Sequence, residues 1–247
     1  MDRRTFLLTG AGLLASPWLV ARDNARFSYC LLQVGKNWND RERALIKLSF
    51  EVQKRCNIPI ETKWENATLS QALKVQSPFF VISGQGAFPL PSVEDARQVR
   101  LALGAGGILL FDDTTDDRDD TGFYDSAVAF MKRVYPELPG PMVVPNDHAL
   151  YQSYYLLKEP RGRLNRRDYL EGWGIGNRTT TFFSHNDLLG AMEADQLGAW
   201  RLSMEIGGGF RRELCFRLGI NMTYYALTLN YKKDRAFPPI IERRRRQ

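Results

Sequence analysis

The chain has 247 residues, of which 44% are hydrophobic and 25% charged, enough to bury one sizeable core and too apolar for a largely disordered protein. Three cysteines without a Cys-x-x-Cys pair exclude a disulfide scaffold and argue against a structural zinc site. The net charge of +6 sits at the termini, where Arg3, Arg4 and Arg22 outweigh Asp2 and where Arg243, Arg244, Arg245 and Arg246 close the chain. The body between them is balanced, so no nucleic-acid partner is expected.

Asp2-Arg3-Arg4-Thr5-Phe6-Leu7-Leu8 leads into an apolar stretch over residues 9–20. Two consecutive arginines before a moderately hydrophobic segment resemble a twin-arginine export signal, and the stretch is short for a membrane-spanning helix. The expected location is therefore periplasmic. Cleavage after Ala21 is a candidate, although Leu19 is a poor match for the small residue expected there. Membrane contact is expected only through an uncleaved signal or through the Arg243–Arg246 tail. Cys30, Cys56 and Cys215 stand in apolar contexts, where free thiols behave as small hydrophobes. The organisation expected is a signal over residues 1–21, one domain over 26–231 and a basic tail over 232–247.

Along the body, strand and helix signals alternate. Residues 27–34 (FSYCLLQV) read as a buried strand closed by Gly35. Asn39 or Asp40 can cap a helix carrying Leu45, Leu48, Val52 and Cys56 at helical spacing. Residues 58–64 alternate as a second strand, and a short amphipathic piece follows over 69–75. Residues 79–82 form a third, fully apolar strand ended by Ser83-Gly84-Gln85-Gly86. Ser92 opens a helix with Glu94 and Asp95 in its first turn and a stop near Gly104. Residues 108–111 are the fourth strand. Later signals are weaker, with strands expected at 143–144 and 180–184, loops at 161–167 and 193–209, and a final helix over 212–229. Alternating strands and helices predict an α/β protein, a three-layer sandwich around a mainly parallel sheet.

In such sheets ligands bind beyond the carboxyl ends of the strands. That edge should gather Trp38 after the first strand, Gly84, Gln85 and Gly86 after the third, and Asp112 and Asp113 after the fourth. The glycines could offer amides to an anion, or simply make a turn. The two aspartates could bind a hydroxylated ligand or a divalent metal. Both histidines of the chain stand beside an aspartate, His148 after Asp147 and His185 two residues before Asp187. Each could be an imidazole oriented by a carboxylate for proton transfer, or a surface histidine beside a capping aspartate.

Several segments in order resemble a bacterial family, domain of unknown function 4159. They are Gln33-Val34-Gly35 with Asn37-Trp38-Asn39, Ser83-Gly84-Gln85-Gly86, and Gly106-Gly107-Ile108-Leu109-Leu110-Phe111-Asp112-Asp113. Asp147-His148-Ala149-Leu150-Tyr151, Leu170-Glu171-Gly172, Phe183-Ser184-His185-Asn186-Asp187 and Gly219-Ile220-Asn221 continue the series. The resemblance implies a flavodoxin-like fold akin to class I glutamine amidotransferases. Those enzymes carry a nucleophilic cysteine where this chain has Phe111-Asp112-Asp113, so no glutaminase activity is expected. Two functions remain open. One is an exported, non-catalytic module binding a small ligand or a protein partner. The other is an enzyme on a small polar substrate, carbohydrate among the candidates, using Asp113 with His148 or His185 as acid and base. No cofactor is expected, apart from a divalent metal in a metal-assisted version of that enzyme. Candidate ligand-binding residues are Trp38, Gly84, Gln85, Gly86, Asp112, Asp147 and Asp187.

Overall fold

The computed structural model describes residues 26–176 and 178–228. The expected signal over residues 1–21 and the expected basic tail over 232–247 lie outside the described residues. Seven strands form one sheet: β1 (Tyr29–Leu32), β2 (Glu65–Ala67), β3 (Phe79–Gly84), β4 (Ile108–Asp113), β5 (Met142–Val143), β6 (Glu171–Ile175) and β7 (Arg178–Ser184). Their spatial order is β2-β1-β3-β4-β7-β6-β5. Pairings from β2 through β7 are parallel, and β6 and β5 then add antiparallel strands at one edge. Among the described residues the α-helices are α1 (Glu42–Cys56), α2 (Val93–Gly104), α3 (Gly122–Val134) and α4 (Gly208–Thr228).

Side chains alternate across a strand, so each strand feeds two cores. Tyr29, Leu31, Val81, Leu110 and Phe182 face one side and pack with Leu45, Leu48 and Val52 of α1 and Leu218, Met222 and Tyr225 of α4. Cys30, Leu32, Phe80, Ile82, Phe111 and Phe183 face the other and pack with Val99 and Leu103 of α2 and Phe123 and Phe130 of α3. Three layers result. Helix α2 begins as its residues dictate, with Ser92 Oγ accepting the Asp95 N–H at 3.1 Å. Helix α4 is buried along most of its length. Its Arg211 donates to the carbonyls of Gly162 and Leu164, and Arg212 to those of Ala191 and Leu202, so loop carbonyls solvate both guanidinium groups. Among the described residues, no helix is long and apolar enough to cross a membrane.

The main departure from the expected elements lies at the second strand. Residues 58–64 make only an isolated bridge, Phe27 with Ile60, and the paired strand is the polar Glu65–Ala67 beside Cys30–Leu32. Helix α3 and strand β6 also stand where no element was expected. In β6, Gly172 is a packing requirement. A Cβ there would fall 2.8 Å from Thr179 Cγ2 and 3.0 Å from the Thr181 carbonyl oxygen. All three cysteines are free thiols, with Cys30 and Cys215 buried in the core and Cys56 partly buried.

Candidate functional site

The sheet register builds the site. Phe111 on β4 pairs with Phe183 on β7, and their rings stack 6.4 Å apart on the α3 face. Two residues further along each strand, Asp113 and His185 emerge on that same face at the carboxyl edge. Glu171 on β6 is the cross-strand neighbour of Phe183, which puts its side chain on this face too. The three line one cleft of about 340 Å³, closed by Thr121 and Tyr124 from the start of α3, Asp117 and Asp120 from the acidic loop, and Arg166, Arg167 and Tyr169.

Within the cleft, His185 Nε2 lies 2.7 Å from Glu171 Oε2, and the Tyr124 hydroxyl donates to Glu171 Oε1 at 3.2 Å. Burial and the nearby Glu171 carboxylate push the Tyr124 hydroxyl up to about 12, so it stays a donor. With Nε2–H donated to Glu171, a neutral imidazole keeps its Nδ1 lone pair free to take a proton. Tyr124 and Tyr169 flank the ring, with centroids 5.3 Å and 6.0 Å away. Asp113 Oδ1 accepts the Thr115 N–H at 2.9 Å. Burial raises the Asp113 carboxyl above its ordinary range, against the opposing pull of Thr115, His185 and Arg166.

The remaining candidates lie elsewhere. Asp112, one residue before Asp113, points to the opposite face and is 0% exposed. Its two oxygens accept the N–H groups of Leu188 and Leu189, each at 2.7 Å, so it fastens the chain after β7. Burial, and next the negative charge of Asp187, raise its carboxyl above the ordinary range. Asp187 is also fully buried, between Arg41 at 3.0 Å and Arg163, and it accepts the Gly190 N–H. Neither carboxylate is presented to the cleft.

His148 is at the far edge. Its Nδ1 accepts the Leu150 N–H at 3.0 Å, which leaves the proton on Nε2, 3.0 Å from Thr179 Oγ1 at the start of β7. It is packed against Phe182 and Tyr225, while Asp147 beside it is exposed. The expected union of His148 with Asp113 is therefore corrected, because the length of β7 separates them. Trp38 is half-buried against Trp64, 6.0 Å between centroids, and does not line the cleft. The glycine turn stands behind the cleft wall. Gly86 (φ +65°) is next to Asp120, and a Cβ at Gly122 would fall 2.8 Å from the Ala87 nitrogen. Gln85 is exposed beside it and lines no part of the cleft.

The cleft opens at the carboxyl edge named by the strand-end rule, and of the three strand ends expected there it uses that of β4. The cleft sits over β4, β7 and β6, whereas the expected crevice included the loop after β1. Glu171, Tyr124, Tyr169, Arg166 and Arg167 escaped the sequence reasoning. The usable signal was Leu170-Glu171-Gly172, an acidic residue preceding a glycine that has to pack closely. Among the described residues, no three His, Cys, Asp or Glu side chains converge as metal ligands.

A family model described as "Domain of unknown function (DUF4159)" matches residues 25–227. No curated protein matches the chain.

Proposed function

Since the chain belongs to the DUF4159 family, whose description carries no activity, we propose a function from the cleft itself: acid–base chemistry on a small polar molecule. The observation that carries this is the His185–Glu171 pair opening on the same cleft as Asp113. Glu171 orients the imidazole, and His185 Nδ1 takes a proton from the substrate. Asp113, whose carboxyl is raised by burial, is suited to return one. An oriented imidazole and a carboxyl raised by burial, lining one cleft, supply the two roles that proton transfer needs.

The flavodoxin-like, amidotransferase-like fold belongs to the same proposal. It is supported by the order β2-β1-β3-β4-β7, the order of a doubly wound sheet with one crossover reversal. Glutaminase chemistry is not part of it. Asp112 and Asp113 occupy the strand end where a nucleophilic thiol would stand, and burial pushes the Cys30 and Cys215 thiols up to about 12. That missing nucleophile also favours the second reading, a module that binds a ligand without turning it over. Export to the periplasm remains the proposed location, on the strength of Arg3-Arg4-Thr5-Phe6-Leu7. Substituting Arg3→Lys and Arg4→Lys together should abolish export if that holds.

The test of the activity is a thermal-shift screen of small polyols, sugars and hydroxy acids, with hits followed by NMR for consumption. Turnover that falls about 10²- to 10⁴-fold in His185→Ala supports the enzyme. Hits that bind through the cleft but are never consumed support the binding module. Hits whose binding ignores both His185→Ala and Glu171→Gln would sink the cleft as the site.

A further inference from the structure

The charged side chains around the cleft are unevenly satisfied. Each carboxylate already accepts a hydrogen bond from the protein. Asp113 takes the Thr115 N–H, Asp117 the Asp119 N–H at 3.0 Å, Asp120 the Gly122 N–H at 2.8 Å, and Glu171 both Tyr124 and His185. The guanidinium groups differ. Arg118 pairs with Glu205 at 2.6 Å, but neither Arg166 nor Arg167 has a carboxylate in ion-pair contact among the described residues. Outside the cleft, Arg41, Arg55 and Arg163 are paired with carboxylates, while Arg211 and Arg212 are satisfied by backbone carbonyls alone.

The Arg166 guanidinium is held in place, and Arg167 is held at its backbone. Arg166 Nη2 donates to the Thr115 carbonyl at 3.0 Å and to the Asp116 carbonyl, and its Nε–H is buried without an acceptor. The backbone N–H groups of Arg166 and Arg167 both donate to Asn186 Oδ1, at 2.8 Å and 3.0 Å. Asn186 is itself 3% exposed, and it directly follows His185. One buried side chain therefore fixes the backbone that carries both arginines relative to the imidazole. In a cleft that also holds the carboxylates of Asp113, Asp117, Asp120 and Glu171, what Arg166 and Arg167 lack is a carboxylate within ion-pair distance.

Taking the cleft as a ligand site, we propose that its ligand carries a carboxylate or phosphate group. Arg166 and Arg167 receive that group, and the hydroxyl-bearing remainder lies towards Asp113 and His185. A planar guanidinium fork matches either oxyanion, and a volume of about 340 Å³ suits a ligand of monosaccharide size.

Matched probe pairs test this by calorimetric titration of the full chain: gluconate against sorbitol for the carboxylate, and glucose 6-phosphate against glucose for the phosphate. In at least one pair the charged member should bind about tenfold or more tightly than its neutral partner, and the pair that discriminates names the oxyanion. Arg167→Ala, on an exposed side chain, should erase most of that preference while leaving the melting temperature unchanged, and Arg167→Lys should restore part of it. Equal binding within both pairs, a preference untouched by Arg167→Ala, or no binding of any charged probe overturns the proposal. If neutral polyols bind in a His185-dependent way, the anionic group is wrong and the cleft survives as a site. If no ligand of any charge responds to His185→Ala, the cleft itself fails.

Discussion

The two histidine–aspartate couples of this chain look alike in sequence and have opposite fates. In the first, His148 is buried and spends both ring nitrogens on the backbone and on Thr179, while Asp147 is left in solvent. In the second, Asp187 is buried between two arginines, while His185 is handed to the cleft. One member of each couple holds the fold and the other is presented. Proximity along the chain does not decide which; position in the sheet does. His185 follows the carboxyl end of β7, and His148 packs at that strand's beginning.

The largest effect should come from the buried member of the second couple. Asp187→Ala leaves Arg41 and Arg163 facing an uncompensated cavity, at an expected cost of about 3–5 kcal/mol in urea unfolding. His148→Ala should cost about 1–3 kcal/mol through the stranded Leu150 N–H, and should leave ligand binding unchanged in titration. A loss of ligand binding there, with stability intact, would erase the contrast between the histidines. His185→Ala should do the reverse, changing stability by about 1 kcal/mol or less while removing the ligand-induced thermal shift.

A smaller effect concerns pH. Because the Asp113 carboxyl is raised in the folded state, folding holds its proton more tightly than the unfolded chain does. Its contribution favours folding in acid, and it declines as pH rises from the ordinary carboxylate range through the raised value. Asp113→Asn should therefore gain on the wild type as pH approaches neutrality and converge with it near about pH 3, below the unfolded carboxylate range, in melting temperatures measured across pH. Smallest of all, Asp147→Ala should stay within about 0.5 kcal/mol of wild type.

The elements legible in the sequence were those with a local cause. Ser92 capping α2, the apolar runs of β3 and β4, and the long stripe of α4 all announce themselves. The second strand did not, because Glu65–Ala67 is a short polar edge strand whose pairing depends on β1 rather than on its own composition. Strand β6 was hidden by glycines that exist to let β7 approach. The site divides in the same way. Asp113 and His185 could be named because they follow apolar strands. Their partner Glu171 becomes visible only through register, since its distance from His185 depends on an antiparallel pairing that no local pattern reveals.

Helix α4 carries a consequence for how the molecule comes to be made. It is the last of the described elements, and it covers the sheet face formed by Tyr29, Leu31, Val81 and Leu110 together with α1. Strand β7, also late, inserts between β4 and β6 rather than at an edge. A chain emerging from the ribosome therefore assembles β1 to β4 with one face unclosed and with β4 offering an unpaired edge. Contacts so distant in sequence form slowly. A product shortened ahead of Gly208 should aggregate through that bare face rather than persist as a smaller folded unit.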